Sequence, residues 1–199
     1  MAATNDIELW KHFKEGDRQA FALLFRNYYK LLYQYGSRIT PDKDGLEDCI
    51  QEMFLELWQR REHLADAESV KAYLFKVLKT KLYKAKIQAQ QFSEISESNV
   101  GLHEFSHEAL LVAEQADLDL KLKFERALTY LSKRQREAVY LKFYNKMSYE
   151  EICVVMGVNY QTVRNLIHQS IKSLRETLTK EHSLFCWILC LLNIEWLMN

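Results

Sequence analysis

Apolar residues recur at spacings of three and four over most of the chain, the period of helices that bury one face. Phe21, Leu24, Phe25, Tyr28, Leu31, Leu32 and Tyr35 form one such stripe. It predicts a long helix with Asp17 as its N-cap and with Gly36 and Pro41 as stop signals. Leu46, Cys49, Ile50, Met53, Phe54, Leu57 and Trp58 form a second stripe, on a helix expected over about 44–61. Glu47, Asp48, Gln51, Glu52 and Glu56 occupy its opposite face. A third helix is expected over about 69–91, with Val70, Tyr73, Leu74, Val77, Leu78 and Leu82 inward. The pattern then fades into serine- and glutamate-rich sequence, which reads as a solvated linker.

Beyond the linker the helical period returns. A helix is expected over about 119–130. Ser132 with Gln135, and Ser148 with Glu151, have the spacing of capping boxes. They predict one helix to about Tyr144 and a short one ending at Gly157. Asn159 then caps a last helix to about Leu178, with Val163, Leu166, Ile167, Ser170, Ile171 and Leu174 inward. The reading is all-α: two small helical domains, residues 6–91 and 117–180, joined by a linker at 92–116 and followed by a tail at 181–199.

Composition agrees. Only five Gly and one Pro are present, too few for a fold built on many tight turns. Hydrophobic residues make up 48%, enough for packed cores. The formal net charge is zero, but the charge is segregated. Lys71, Lys76, Lys79, Lys81, Lys84 and Lys86 have no acid among them, whereas residues 92–119 hold seven acids and no Lys or Arg. From Leu120 to His182, twelve Lys or Arg stand against six Asp or Glu. Two basic modules around an acidic linker suit phosphate binding better than the zero sum suggests.

Catalytic chemistry finds no support. There is no Gly-rich phosphate loop, metal-ligand cluster or nucleophile-base pairing, and the six His are scattered. Neither a cofactor nor a metal is expected. Cys186 and Cys190 lie one helical turn apart, with only His182 as a further ligand nearby. Cys49 and Cys153 read as small core residues, which fits a reducing compartment. The polar, acidic opening has no secretory signal, so a cytoplasmic protein is expected. The apolar run from Leu184 to Leu192 is short for a membrane span, which takes about 20 residues, and reads as a self-packing or partner-docking segment.

The segment 147–174 has the layout of a helix-turn-helix. Gly157 suits a left-handed turn, and Tyr160, Gln161, Arg164, Asn165, His168 and Lys172 are left facing outward. Amide side chains can bond an adenine edge at two points, and arginine a guanine edge. The N-terminal residues of such a helix reach deepest into the major groove. A plain helical hairpin with polar residues in water has the same local pattern.

These residues also carry a family resemblance. Ala127 to Glu137, Met147-Ser148-Tyr149-Glu150-Glu151-Ile152, Met156-Gly157-Val158, Thr162-Val163-Arg164-Asn165 and Ser173-Leu174-Arg175 resemble the C-terminal domain of sigma-70-family factors. Residues 47–58 resemble the most characteristic helix of sigma domain 2, and Ala72 to Leu78 the segment that meets the −10 element. The compact layout resembles that of the extracytoplasmic-function group.

The resemblance implies a promoter-recognition factor that binds core RNA polymerase and promoter DNA and is held by an anti-sigma factor. It implies no small-molecule substrate, and membrane contact only indirectly or through the tail. It assigns Asp48, Gln51, Glu52 and Glu56 to polymerase. Tyr160, Gln161, Arg164, Asn165 and His168 fall to the −35 bases, with Lys172 on phosphate. Tyr73, Lys76, Lys79, Lys81, Tyr83 and Lys84 fall to the −10 element, with Phe75 as a further stacking candidate. The chain departs from the family near Lys81, where many relatives carry Asn, a few residues later at Lys84 and Ala85, where they carry Asp, and at Leu166 and Ile171, where they often carry Arg. Its recognition helix is thus less basic than usual. The alternative is a stand-alone helix-turn-helix regulator, which would not need the acidic helix.

Overall fold

The computed structural model describes residues 2–92 and 126–179. The chain divides into two units, with the boundary between residues 104 and 105. The first holds α1 (Ala2–Lys14), α2 (Arg18–Gly36), α3 (Lys43–Gln59), a 3-10 turn (Arg61–His63) and α4 (Val70–Phe92). The expected linker and tail lie outside the described residues.

Local chemistry sets the helix starts. Asp17 Oδ1 accepts the backbone N–H groups of Gln19 (2.7 Å) and Ala20, as its N-cap assignment requires. Asp42 does the same for Gly45 at 3.0 Å and opens α3. Ser69 Oγ accepts from Ala72 N–H at 3.2 Å, at the start of α4.

Helices α2, α3 and α4 pack on one another through the expected stripes. Leu24, Leu32 and Tyr35 meet Leu46, Ile50, Met53 and Phe54 around Leu74, Phe75 and Leu78, and all are buried. A fully buried side chain of this kind contributes roughly 1.5–3 kcal/mol. Gly36 lets α2 approach α3, since a Cβ there would collide with a Leu46 methyl.

Helix α1 was not expected from the sequence. It buries Trp10 and Phe13 against the other three helices. The Trp10 ring stacks on Phe13 (5.2 Å between centroids) and meets the edge of Tyr73 (5.3 Å), while its Nε1 donates to Ala65 O at 3.3 Å. Tyr28 donates its hydroxyl to Asp6 at 2.6 Å, and Lys14 pairs with Asp66.

The second unit has a helical stretch at 126–129, then α5 (Lys133–Val139), which widens into a π turn (Tyr140–Tyr144). Then come α6 (Tyr149–Met156) and α7 (Tyr160–Thr179). Both capping boxes form: Ser132 and Gln135 exchange bonds at 2.8 and 3.3 Å, Ser148 and Glu151 at 2.7 and 3.1 Å. Arg136 reaches back to the Leu128 and Thr129 carbonyls, satisfying acceptors that the end of the preceding helix leaves open. Ala127, Leu128, Leu131, Val139 and Leu174 form one cluster of its core.

Cys49 and Cys153 are only partly buried, a correction to their reading as core residues. Each sits at the border of its helix's apolar stripe, where a small side chain neither fills the interior nor leaves it. Among the described residues, no helix is long and apolar enough to cross a membrane.

Candidate nucleic-acid interface

The six residues expected to meet the −35 duplex stand together on α7. Gln161, Arg164, Asn165, His168 and Lys172 are exposed on its outer face, and Tyr160 opens the helix with its ring half in solvent. Val163, Ile167, Ser170 and Leu174 are buried on the other face, which fixes the helix's rotation. Asn159 caps α7 by accepting both the N–H (2.8 Å) and the hydroxyl (2.7 Å) of Thr162. Gln161 Nε2 donates to Asn165 Oδ1 at 3.1 Å, holding the two amides side by side one turn apart. Lys172 and Glu176 are 4.0 Å apart and largely exposed, a contact worth little in water.

The turn before α7 depends on Gly157, at φ 65° and ψ 39°. Its N–H donates to Cys153 O at 2.9 Å. A Cβ there would meet nothing within 4 Å, so the only obstacle to a larger residue is the left-handed backbone. Gly157→Ala should therefore cost about 1–2 kcal/mol in chemical unfolding of the second unit. A loss below about 0.3 kcal/mol would contradict the strained turn.

Two participants escaped the sequence reading. The Tyr149 ring lies 5.4 Å from Tyr160, and Lys142 Nζ sits 4.6 Å above Tyr149. Burial raises the Tyr149 hydroxyl's pKa, with Tyr160 adding to the rise and Arg164 opposing it. Lys142 and Tyr149 thus extend the Tyr160–Arg164 end of the reading face onto two other elements. No periodicity signals this, because the residues belong to three separate segments.

In the first unit the expected −10 residues divide. Lys76, Tyr83 and Lys84 are exposed on α4, and Lys79 is partly exposed near Lys76 and Tyr83. Tyr73 is half-buried against Trp10, and burial raises its pKa. Phe75 is fully buried beside Tyr35, which corrects its reading as a stacking candidate: it is a core residue. Lys81 lies about 140° around the helix from Lys76. It turns to α3, where its Nζ is 3.1 Å from Glu52 Oε2 and 2.7 Å from Glu56 Oε1.

The same bridge divides the acidic face of α3. Asp48 and Gln51 are exposed on an outer stripe with Leu55, which is 56% exposed. Leu55 is the apolar residue that falls off the buried stripe, a signal already present in the sequence. Glu52 and Glu56 flank that stripe and hold Lys81. The Lys81 hydrogen bond, aided by the charges of Lys81, Arg60 and Lys84, keeps the Glu56 carboxyl below its ordinary pKa. Burial opposes the charged form of Lys81, but its bonds to Glu56 and Glu52 prevail and raise its pKa.

Two families of sequence are recognised in the chain. Sigma-70 region 2 matches residues 24–91, and Sigma-70, region 4, matches residues 121–174. Together they take in more than half of the 199 residues. The ECF RNA polymerase sigma factor SigL of Mycobacterium tuberculosis is 29% identical over 157 residues, 78% of this chain and 86% of that protein. The corresponding SigK of Mycobacterium ulcerans is 24% identical over 174 residues, 85% of this chain and 91% of that protein.

Among solved structures, CnrH in complex with the cytosolic domain of CnrY has a TM-score of 0.57 at 18% identity, covering 89% of this chain and 99% of that one. RpoE of Bartonella quintana, in complex with the anti-sigma factor NepR, has a TM-score of 0.54 at 23% identity, covering 81% and 98%. The two structures share the fold. With both regions on one chain in the family's order, and relatives named as ECF sigma factors that it matches over most of their length, the chain belongs to the sigma-70 family of RNA polymerase sigma factors, in its extracytoplasmic-function group.

Proposed function

We propose that this protein binds core RNA polymerase through α3 and reads promoters with α4 and α7, initiating transcription by binding rather than by chemistry. The carrying observation is the pairing of two faces on one chain: an acidic, amide-bearing helix and a helix-turn-helix with outward Gln, Asn and Arg. An acidic helix face suits a basic partner. A stand-alone regulator would have no use for it.

Asp48 and Gln51, with Glu52 and Glu56 at their flank, are the polymerase contacts. Tyr160, Gln161, Arg164, Asn165 and His168 address the −35 bases, and Lys172 a phosphate. Lys76, Lys79, Tyr83 and Lys84 attract and stack the unpaired −10 strand, with Tyr73 at their edge. The domains run 6–91 and 117–180, with 92–116 as linker and 181–199 as tail. An anti-sigma factor regulates the protein in the cytoplasm, a reading supported by a protein of the same fold, RpoE of Bartonella quintana, that was solved with the anti-sigma factor NepR.

Run-off transcription with purified core polymerase and a library of promoter fragments tests this. Protein-dependent transcripts sharing −35 and −10 elements are expected. Failure to bind core at all would leave the stand-alone regulator as the better account.

A further inference from the structure

We propose that Lys81 is an internal stand-in for a basic side chain of core RNA polymerase: it neutralises Glu52 and Glu56 in the free chain and yields them when α3 docks. The inference rests on the reading of α3 as the polymerase-binding helix and adds a competitor inside the molecule.

Position separates Lys81 from the other lysines of α4. Its side chain is 18% exposed, and it points away from the face that carries Lys76 and Tyr83. Its ammonium contacts both carboxylates at once, at 3.1 and 2.7 Å. The carboxylates themselves remain open, Glu52 at 66% and Glu56 at 46% side-chain exposure. An incoming cation therefore reaches the acids from solvent while Lys81 holds them from behind.

The charges make the arrangement competitive. Glu52 and Glu56 are four residues apart on one helix, where like charges repel. Lys81 relieves that repulsion, and a basic partner would relieve it equally well. Any cation close enough to pair with Glu56 is also close enough to be repelled by the Lys81 ammonium. Docking thus becomes an exchange in which the acids stay paired throughout. The displaced ammonium joins the acid-free cationic run of α4, beside Lys84, where a DNA strand offers phosphate in return.

The exchange predicts a sign opposite to that of a merely structural ion pair. In full-length protein, Lys81→Met should bind purified core polymerase about fivefold more tightly than wild type at low salt. The gain should shrink as salt rises. Lys81→Arg should bind more weakly, because its planar fork holds two carboxylates more firmly than an ammonium does. Adding Glu52→Gln and Glu56→Gln to Lys81→Met should erase the gain.

Equal or weaker core binding by Lys81→Met, with thermal unfolding like that of wild type, overturns the exchange. If Lys81→Met is itself unstable, Lys81→Arg decides: binding at or above the wild-type level overturns the proposal. Wild type failing to bind core at all would overturn the polymerase reading and the exchange with it.

Discussion

The Trp10→Ala protein is expected to lose about 3–5 kcal/mol from the stability of its first unit. The indole is 2% exposed and touches both α1 and α4, stacking on Phe13 and on the edge of Tyr73. Its removal leaves a cavity bounded by aromatic rings, which cannot collapse easily, and also loses the hydrogen bond from Nε1 to the Ala65 carbonyl, which is exposed enough for water to replace it. Whole domains are stable by only about 5–15 kcal/mol, so the loss is a large fraction. Urea unfolding of the full chain checks it. The transition of the first unit should move to lower denaturant, and that of the second should stay. Trp10→Phe keeps most of the apolar bulk and should recover most of the loss. A change below about 1 kcal/mol for Trp10→Ala would mean that α1 lies on the core without belonging to it.

The largest functional effect is expected at Arg164. Its side chain is exposed on α7, so truncation should leave stability within about 0.5 kcal/mol of wild type. A bidentate arginine–guanine contact contributes about 1–3 kcal/mol of discrimination. Arg164→Ala should therefore lower run-off transcription by about tenfold or more at promoters with the preferred −35 base, while core binding is unchanged. The preference at one base position should relax. Lys172→Ala should act differently, weakening all promoters alike and reducing the salt slope of binding by about one. A uniform loss for Arg164→Ala would assign it to phosphate and not to a base.

Features written in contiguous residues were legible in the sequence. Asp17, Ser132 with Gln135, and Ser148 with Glu151 cap the helices as their spacing predicts, because a cap is complete within four residues. The stripes of α2, α3 and α7 were equally plain. Helix α1 was not, since its apolar positions Ile7, Leu9, Trp10 and Phe13 cover barely two turns, too short a run to set a period. Phe75 was misread because α4 is apolar around much of its first half: Ala72, Leu74, Phe75 and Leu78 are all buried. The role of Lys81 was hidden for another reason. Its partners lie 25 and 29 residues earlier, and in one dimension it is simply another member of a basic run.

The turn at Gly157 carries a chemical consequence of its own. The space around its α-carbon is empty, so what forbids a side chain is handedness and not volume. A mirror-image amino acid has no such objection to a positive φ. D-alanine placed there by semisynthesis would fit the turn as built and restrict the unfolded chain. Stabilisation by about 0.4–1 kcal/mol would follow, stiffening the hinge of the DNA-reading hairpin without altering any atom that faces the promoter.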